Sequence, residues 1–333
     1  MATIDERWHL NGLGAVVLSN EQARLVVLPE LGGKIYSFEH RPTSREWMWQ
    51  NARIAPSRVP FGSNFDNNWS GGADVLYPTC IPARWAGEEI PDSGEWWSIP
   101  WQAATASDDS GVTLTLTAGG RVLPTVATRT FRLEADRPEV TLGFETVNVG
   151  NAPVPFLLGF HPALAVKAGS SIDLPPGSVD IEHASGPALG APGLTYRWPH
   201  LVGGDGLERD MREVLPPSAN VFAGHYFTPD AGDVWWALRD PDGGPGLALV
   251  APGADFVGLW MWIVYGGWRG YHHLALEPWT SFPISLDEAV RKQTARWLEP
   301  GERFATQLRM VAMPFPKPVA ELSMATRASE FGR

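Results

Sequence analysis

An alternation of apolar and polar residues runs through residues 112–117, and no other feature constrains the fold of this chain as tightly. The same period of two returns at residues 129–133 and 140–144, with a turn-forming segment at 134–138 between them. A period of two places successive side chains on opposite faces of a strand. The three segments therefore predict an antiparallel β-meander with one face in a core and the other in water.

Glycine and proline interrupt most of the remaining sequence. The chain of 333 residues contains 35 Gly and 30 Pro, and either residue destabilises the interior of a helix. The expected fold class is therefore all-β. Further strands are predicted at residues 23–28, 34–40, 154–158, 234–238, 247–250, 259–264, 272–277 and 304–312, and one short helix at 286–296.

The sequence shows no fixed-period repeat and no linker rich in Ser and Gly. We therefore expect residues 1–313 to form a single domain. A proline-rich run then leaves the sheet, so residues 314–333 are expected to be a partly extended or disordered tail.

The formal net charge of −11 disfavours partners that carry phosphates, so neither nucleic acid nor a membrane surface is expected. The single cysteine, Cys80, excludes an intramolecular disulfide and indicates a reducing, cytoplasmic setting. The first 14 residues lack the apolar stretch of a secretory signal, and the longest apolar run, residues 257–265, is far shorter than the roughly 20 residues that span a bilayer. A neutral ligand fits this chain best.

Glu277 is the first candidate for chemistry. On a strand it shares a face with Ala275 and His273, and its neighbours Leu276 and Pro278 are apolar. Such surroundings raise the pKa of a carboxyl group and suit it to act as a base. A glutamate at a sheet edge that pairs with an arginine explains the spacing equally well.

His161 is the second candidate. It lies in the segment LGFHP at residues 158–162, where Pro162 is expected to end a strand. A histidine in this position can donate a proton. A core histidine bonded to a backbone carbonyl is the commoner arrangement, and the residues alone leave both interpretations open.

Acidic and aromatic residues concentrate in two other segments. Residues 71–79 predict a glycine-hinged loop that brings Asp74 close to a ligand, with capping of local amides as the competing interpretation. Residues 90–101 hold two carboxylates, Asp92 and Glu95, and three tryptophans that include Trp96. Sugars favour this mixture, because their hydroxyls bind carboxylates while their C–H faces stack on indole rings.

Trp260 and Trp262 share one face of a predicted strand, which would let them line a groove. Other catalytic templates are absent from the sequence: there is no phosphate-binding loop, dinucleotide fingerprint, zinc-protease motif or nucleophile elbow. The adjacent His272 and His273 cannot both face one metal ion from a strand. No metal site is expected.

Several short motifs follow one another along the chain. They are LPELGGKI at 28–35, REWMWQN at 45–51, GGAD at 71–74, YP at 77–78, DSGEWW at 92–97, FHP at 160–162, LEPW at 276–279 and LEPGE at 298–302. In this order they resemble the motifs of the galactose mutarotase-like superfamily, the family of aldose 1-epimerases. The resemblance spans residues 28 to about 311.

The resemblance implies a β-supersandwich of mostly antiparallel strands whose concave face binds a monosaccharide or small saccharide. It implies an isomerase that needs no cofactor, with Glu277 as the base for the anomeric hydroxyl and His161 as the acid for the ring oxygen. A homodimer is compatible with it. The substrate-binding residues that we expect on this basis are Asn51, Asp74, Asp92, Glu95, Trp96, Trp260, His273 and Trp279.

The sequence departs from the resemblance at Ser93, where many relatives carry a second histidine. This departure leaves two alternatives to anomer interconversion on the same scaffold. One is lyase or glycosidase chemistry on a larger saccharide, and the other is sugar binding without catalysis.

Overall fold

The computed structural model describes residues 1–203 and 206–314. The all-β prediction is confirmed, because 53% of the residues lie in strands and 6% in helices. The tail predicted at 314–333 lies outside the described residues except for Pro314, which ends the last strand.

The strands are numbered in chain order, and two short helices, α1 Phe65–Asn68 and α2 Leu286–Arg291, interrupt them. The strands are β1 Thr3–Leu10, β2 Leu13–Ser19, β3 Ala23–Leu28, β4 Lys34–His40, β5 Arg45–Glu46, β6 Ala73–Leu76, β7 Ala83–Trp85, β8 Glu88–Ile90, β9 Gln102–Asp108, β10 Gly111–Gly119, β11 Thr125–Glu134, β12 Glu139–Asn148, β13 Val154–Phe156, β14 Gly159–Leu164, β15 Ser171–Asp173, β16 Gly177–Ala184, β17 Thr195–Arg197, β18 His200–Val202, β19 Glu208–Asp210, β20 Val221–Pro229, β21 Val234–Arg239, β22 Pro245–Ala251, β23 Gly258–Tyr265, β24 His272–Trp279, β25 Arg296–Leu298 and β26 Arg303–Pro314.

The predicted meander is present as β10, β11 and β12, which pair antiparallel in succession. Along β11 every second side chain is buried, from Thr125 to Leu133. Burial alternates in the same way along most of β12. The period of two in the sequence therefore identified both the strands and their inward faces.

Two features differ from the sequence-based expectations. The predicted helix at 286–296 ends at Arg291, because Gln293 adopts a left-handed conformation that a helix cannot continue through. The first hairpin, β1 with β2, was not predicted although it carries a strong signal. Asn11 and Gly12 both have positive φ, as the tight two-residue hairpin turn requires.

The chain forms two compact units by its internal contacts. Of the described residues, unit 1 comprises 1–162 and 279–308, and unit 2 comprises 163–203, 206–278 and 309–314. The expectation of a single domain stays a prediction.

Unit 1 contains a sheet with the order β1-β2-β3-β4-β6-β14 and a second one with the order β12-β11-β10-β9. Leu116 of β10 and Arg129 of β11 both lie against Gly33, in the turn before β4. These contacts pack the second sheet of unit 1 onto the first, as in a sandwich.

Unit 2 contains strands in the order β24-β23-β20-β16-β17-β18-β19 and others in the order β15-β21-β22-β26. Neighbouring pairs such as β20 with β23 and β21 with β22 are antiparallel. One face of β20 and β23 is buried, with Phe227, Met261 and Leu259 at 0% exposure and His225 among them. Within the described part of the chain, no helix is long and apolar enough to cross a membrane.

Candidate active site

Asp74 and His161 lie directly opposite each other on neighbouring antiparallel strands of unit 1, β6 and β14. Cross-strand partners project from the same face of a sheet, so the two side chains share a face. The prediction of a loop around Asp74 is wrong, because residues 73–76 form a buried strand. The prediction that Pro162 ends the strand is also wrong, since β14 continues past it to Leu164.

Lys34 completes the charged centre of this face. Its ammonium group donates hydrogen bonds to Oδ2 of Asp74 and, at 2.8 Å, to the carbonyl oxygen of Gly71. Both side chains of the pair are almost fully buried, at 3% and 1% exposure. Burial lowers the pKa of Lys34, while the Asp74 carboxylate acts to raise it.

Arg129 is a second buried cation in unit 1. Its Nη1 donates to the carbonyl oxygens of Gly32 at 2.6 Å and Gly33 at 3.0 Å, and its guanidinium carbon lies 5.0 Å from the centre of the Phe131 ring. Burial lowers the pKa of Arg129 to about 9, and Asp74 acts to raise it. The Asp74 carboxylate therefore favours the charged forms of both Lys34 and Arg129.

Sequence reasoning missed both of these cations. Arg129 had a visible signal, because it occupies an inward position of an alternating strand, between Ala127 and Phe131. A charged residue at such a position is rarely accidental, since burying it requires partners. Lys34 had a weaker signal as the first residue of the predicted apolar strand β4.

His161 is enclosed by aromatic rings. Its exposure is 7%, and the rings of Trp69 and Phe65 meet its ring edge to face, with centroids 5.2 Å and 5.8 Å away. Burial lowers the pKa of His161 to about 4, while Asp74 acts to raise it and Lys34 to lower it. The imidazole is therefore neutral near pH 7.

Asp92 fixes the aromatic wall beside His161. Its Oδ2 accepts hydrogen bonds from Nδ2 of Asn64 at 2.9 Å and from the backbone N–H of Phe65 at 3.0 Å. Asn64 is the N-cap of the short helix α1, and its side chain accepts from Asn67 N. Asp92 thus holds the helix end that carries Phe65.

Asn51 supports the other side of that wall. Its Nδ2 donates to the carbonyl oxygen of Trp69 at 2.9 Å, and its Oδ1 accepts from the backbone N–H of Arg53 at 3.0 Å. Unit 1 therefore brings together four predicted site residues, with Asp74 and His161 at the centre and Asn51 and Asp92 behind the rings.

Glu95 and Trp96 both make close contacts within unit 1. Glu95 has 0% exposure, and its carboxylate accepts hydrogen bonds from the backbone N–H groups of Arg121 at 2.6 Å, Val122 at 2.7 Å and Leu123 at 3.4 Å. Trp96 stacks on Tyr77 with ring centroids 3.9 Å apart. The Nε1 of Trp96 is buried and has no hydrogen-bond partner among the described residues. The substrate roles of Glu95 and Trp96 stay a prediction.

Trp279 also packs within unit 1. Its ring lies against the α-carbon of Gly159, two residues before His161, at a distance that leaves no room for a side chain at residue 159. Ser93, the position of the missing histidine, is 4% exposed with a φ of 60°. Its hydroxyl lies 3.5 Å from Oδ1 of Asp92.

In unit 2, Glu277 and His273 lie on β24 with 0% exposure. Their positions differ by four residues, so they share one face of the strand, as predicted. His273 also contacts the ring of Tyr271, with centroids 6.4 Å apart. Trp260 lies on the neighbouring strand β23, where it is 6% exposed and packs on Tyr226 at 4.6 Å.

No group of three or more His, Cys, Asp or Glu side chains in residues 1–203 and 206–314 is arranged to hold a metal ion. In unit 1, a neutral imidazole, the buried Asp74 carboxylate and surrounding indole rings are a donor and acceptor set suited to a polyhydroxylated neutral molecule.

No protein-family model matches the chain, and no curated protein matches it either. Several solved structures match the chain. A proposed aldose 1-epimerase from Klebsiella pneumoniae has a TM-score of 0.74 and 12% identity, over 95% of this chain and 83% of that one. A galactose mutarotase-like protein from Clostridium acetobutylicum has a TM-score of 0.63 and 10% identity, over 95% and 99%.

A TPR-domain containing protein from Parabacteroides distasonis has a TM-score of 0.66 and 16% identity, over 94% of this chain. The match covers 49% of that protein, so this chain spans about half of its length. Identities this low establish architecture and leave activity open. The chain has the fold of the galactose mutarotase-like proteins.

Proposed function

We propose that this chain is an isomerase of the aldose 1-epimerase type, which interconverts the anomers of a neutral aldose. Glu277 takes the proton of the anomeric hydroxyl, and His161 donates a proton to the ring oxygen. The bond from C1 to the ring oxygen breaks, the aldehyde rotates about C1–C2, and reclosure on the other carbonyl face gives the opposite anomer. Both protons return in the closing step, so no cofactor is consumed.

The observation that carries the proposal is the pairing of His161 with Asp74 on β14 and β6. Within the described residues, Oδ1 of Asp74 is buried and has no hydrogen-bond partner. Buried acceptors without a partner are rare, and a sugar hydroxyl would supply the missing donor. The fold shared with galactose mutarotase-like proteins supports the same assignment.

The low pKa of His161 suits the role of a hydrogen-bond donor in its neutral form. At pH 7 its N–H would bond to the ring oxygen, and the nearby Asp74 carboxylate acts to raise the pKa of His161, which favours the protonated imidazole that transfers a proton to that oxygen and returns to its neutral form. The proposal keeps as substrate-binding residues Asn51, Asp74, Asp92, Trp260, His273 and Trp279. It leaves out Glu95, whose carboxylate accepts hydrogen bonds from three backbone N–H groups, and Trp96, which stacks on Tyr77. It includes a cytoplasmic location.

The test follows the anomeric proton signals by NMR after pure α-anomers of glucose, galactose and other aldoses are dissolved with and without the protein. The wild type should accelerate mutarotation of at least one sugar. Glu277→Gln and His161→Asn should each lower the rate by about 10²–10⁴-fold, the usual contribution of a general acid or base.

His272→Asn is the matched control. His272 neighbours His273 on β24 but belongs to the other face of the strand, where its Nε2 donates to the carbonyl oxygen of Leu215 at 2.9 Å. This variant should keep the wild-type rate. No acceleration for any aldose, or full activity in Glu277→Gln, would overturn the proposal, and sugar binding without acceleration would leave a binding protein.

A further inference from the structure

Unit 2 carries a continuous run of aromatic rings on one sheet face, here called the aromatic strip: His183, Phe222, Trp260, Trp262, Trp268 and Tyr271. Trp262 is the centre, with ring centroids 5.3 Å from His183, 5.7 Å from Phe222 and 5.7 Å from Trp268. Trp268 continues to Tyr271 at 5.6 Å, and Tyr271 reaches His273 at 6.4 Å. The run therefore ends beside a residue of the proposed sugar site.

The strip and Glu277 lie on the same face of the unit 2 sheet. Trp260 and Trp262 alternate with Met261 and Tyr265 along β23, and the Tyr265 ring contacts His272 at 5.8 Å. The face of Tyr265 is therefore the face of His272. Glu277 and His273 alternate with His272 on β24, so they belong to the face of the two tryptophans.

The strip is a rigid surface because its rings hold one another in place. A side-chain carbon at Gly224 would lie 2.3 Å from the Trp260 ring and 2.4 Å from the His183 ring. Because glycine has no side chain, both rings pack directly against the backbone of β20. The contacts of Trp262 with Phe222 and with Trp268 are close to perpendicular, at 64° and 79°. Such edge-to-face contacts fix ring orientations.

The outer rings of the strip are accessible. Phe222, Trp262 and Trp268 are partly exposed, and the side chain of His183 is 39% exposed. Polar groups border them: the Glu182 carboxylate accepts from the Tyr226 hydroxyl at 3.3 Å, and the Arg269 guanidinium lies 4.7 Å from the centre of the Trp268 ring. Clustered aromatic rings with a polar border favour binding over packing.

From this geometry we infer that the aromatic strip binds a further sugar ring, so that the substrate is the reducing end of an oligosaccharide rather than a free monosaccharide. The inference rests on the proposed sugar site at Glu277. A pyranose presents a C–H face to an indole and hydroxyls to the bordering Glu182 and Arg269.

The test is calorimetric titration of the wild type with glucose, cellobiose, cellotriose, maltose, maltotriose, galactose and lactose. At least one di- or trisaccharide should bind about 10-fold more tightly than its monosaccharide. Trp262→Ala and Trp268→Ala should each remove that difference and leave the monosaccharide affinity unchanged. Trp8→Ala, an exposed tryptophan of unit 1 at 55% exposure, is the matched control and should change neither affinity.

Equal affinity for mono- and oligosaccharides in the wild type would overturn the inference, as would equal losses for both in the two strip variants. Far-UV circular dichroism establishes that each variant folds, and Trp268→Ala, in the turn between β23 and β24, provides a second reading if Trp262→Ala does not fold. If affinity rises with oligosaccharide length but no anomer interconversion is accelerated, the inference about the strip stands and the proposed isomerase activity is refuted. If mutarotation of monosaccharides is accelerated but affinity does not depend on length, the isomerase activity stands and the inference about the strip is refuted.

Discussion

Lys34 and Asp74 form an ion pair in which both side chains are almost completely withdrawn from water, at 3% and 1% exposure. The pair lies beside His161, whose strand pairs with that of Asp74. Removing a charge from water is costly unless a partner and hydrogen bonds compensate it. The Lys34–Asp74 ion pair therefore contributes to the stability of unit 1 and also lies beside His161, a residue proposed for catalysis.

Lys34→Met should strongly destabilise the protein because it leaves the Asp74 carboxylate buried without its nearest cation. The expected loss in the free energy of unfolding is about 3–5 kcal/mol, measured by urea denaturation. Arg84→Met breaks the exposed pair of Arg84 with Glu89, at 66% and 69% exposure, and should cost nothing measurable. Similar small losses in both variants would contradict a structural role for the buried pair.

Glu95→Gln tests whether Glu95 is structural. Replacing one carboxylate oxygen by an amide NH₂ group places a hydrogen-bond donor against the backbone N–H donors of residues 121–123. We therefore expect the free energy of unfolding to fall by about 1–3 kcal/mol. Thermal unfolding measures that loss, with the exposed Glu89→Gln as control. A wild-type melting temperature combined with a raised KM for sugar would instead restore the predicted substrate contact.

Gly159→Ala should disturb the packing beneath Trp279. The new methyl group would lie 2.3 Å from the indole ring, so the ring or the strand must move. We expect a cost of about 1–3 kcal/mol and a changed near-UV circular dichroism spectrum. Gly119→Ala, on the meander strand β10 with nothing within 4 Å of the added carbon, is the comparison and should retain both properties.

His225 should make stability depend on pH. Burial lowers its pKa to about 4 from an ordinary value of 6.5, and its Nε2 donates to the carbonyl oxygen of Leu189 at 3.0 Å. Because the unfolded chain binds the proton more readily, the stability contribution is complete above pH 6.5 and is lost as the pH falls toward 4.

The measurement compares urea denaturation of the wild type and His225→Gln between pH 7 and pH 4. Relative to the variant, the wild type should lose on the order of 3 kcal/mol over this range. The difference between the two proteins is the informative quantity, because burial raises the pKa of Glu46 and Glu95 and so favours the folded state in acid. Parallel pH curves would exclude His225 as the cause.

The alternation at residues 112–117, 129–133 and 140–144 was sufficient to predict a meander, because the side-chain period of a strand is a local property. The predicted bounds of β3 and β4 also agree with the structure. Strands without an apolar alternation were missed. β9 is an example, since all seven of its residues are exposed and none carries an apolar pattern.

In the candidate site, too, local sequence features could be predicted and non-local contacts could not. The sequence by itself determined which residue types were unusual, such as His161 among apolar neighbours and Glu277 before Pro278. Only the tertiary structure decided their surroundings, since the Lys34–Asp74 pair joins residues 40 positions apart and Glu95 binds amides 26–28 positions away. Hydrogen bonds and burial depend on distances that non-local strand pairing sets, and a local pattern of residue types does not encode which strands become neighbours.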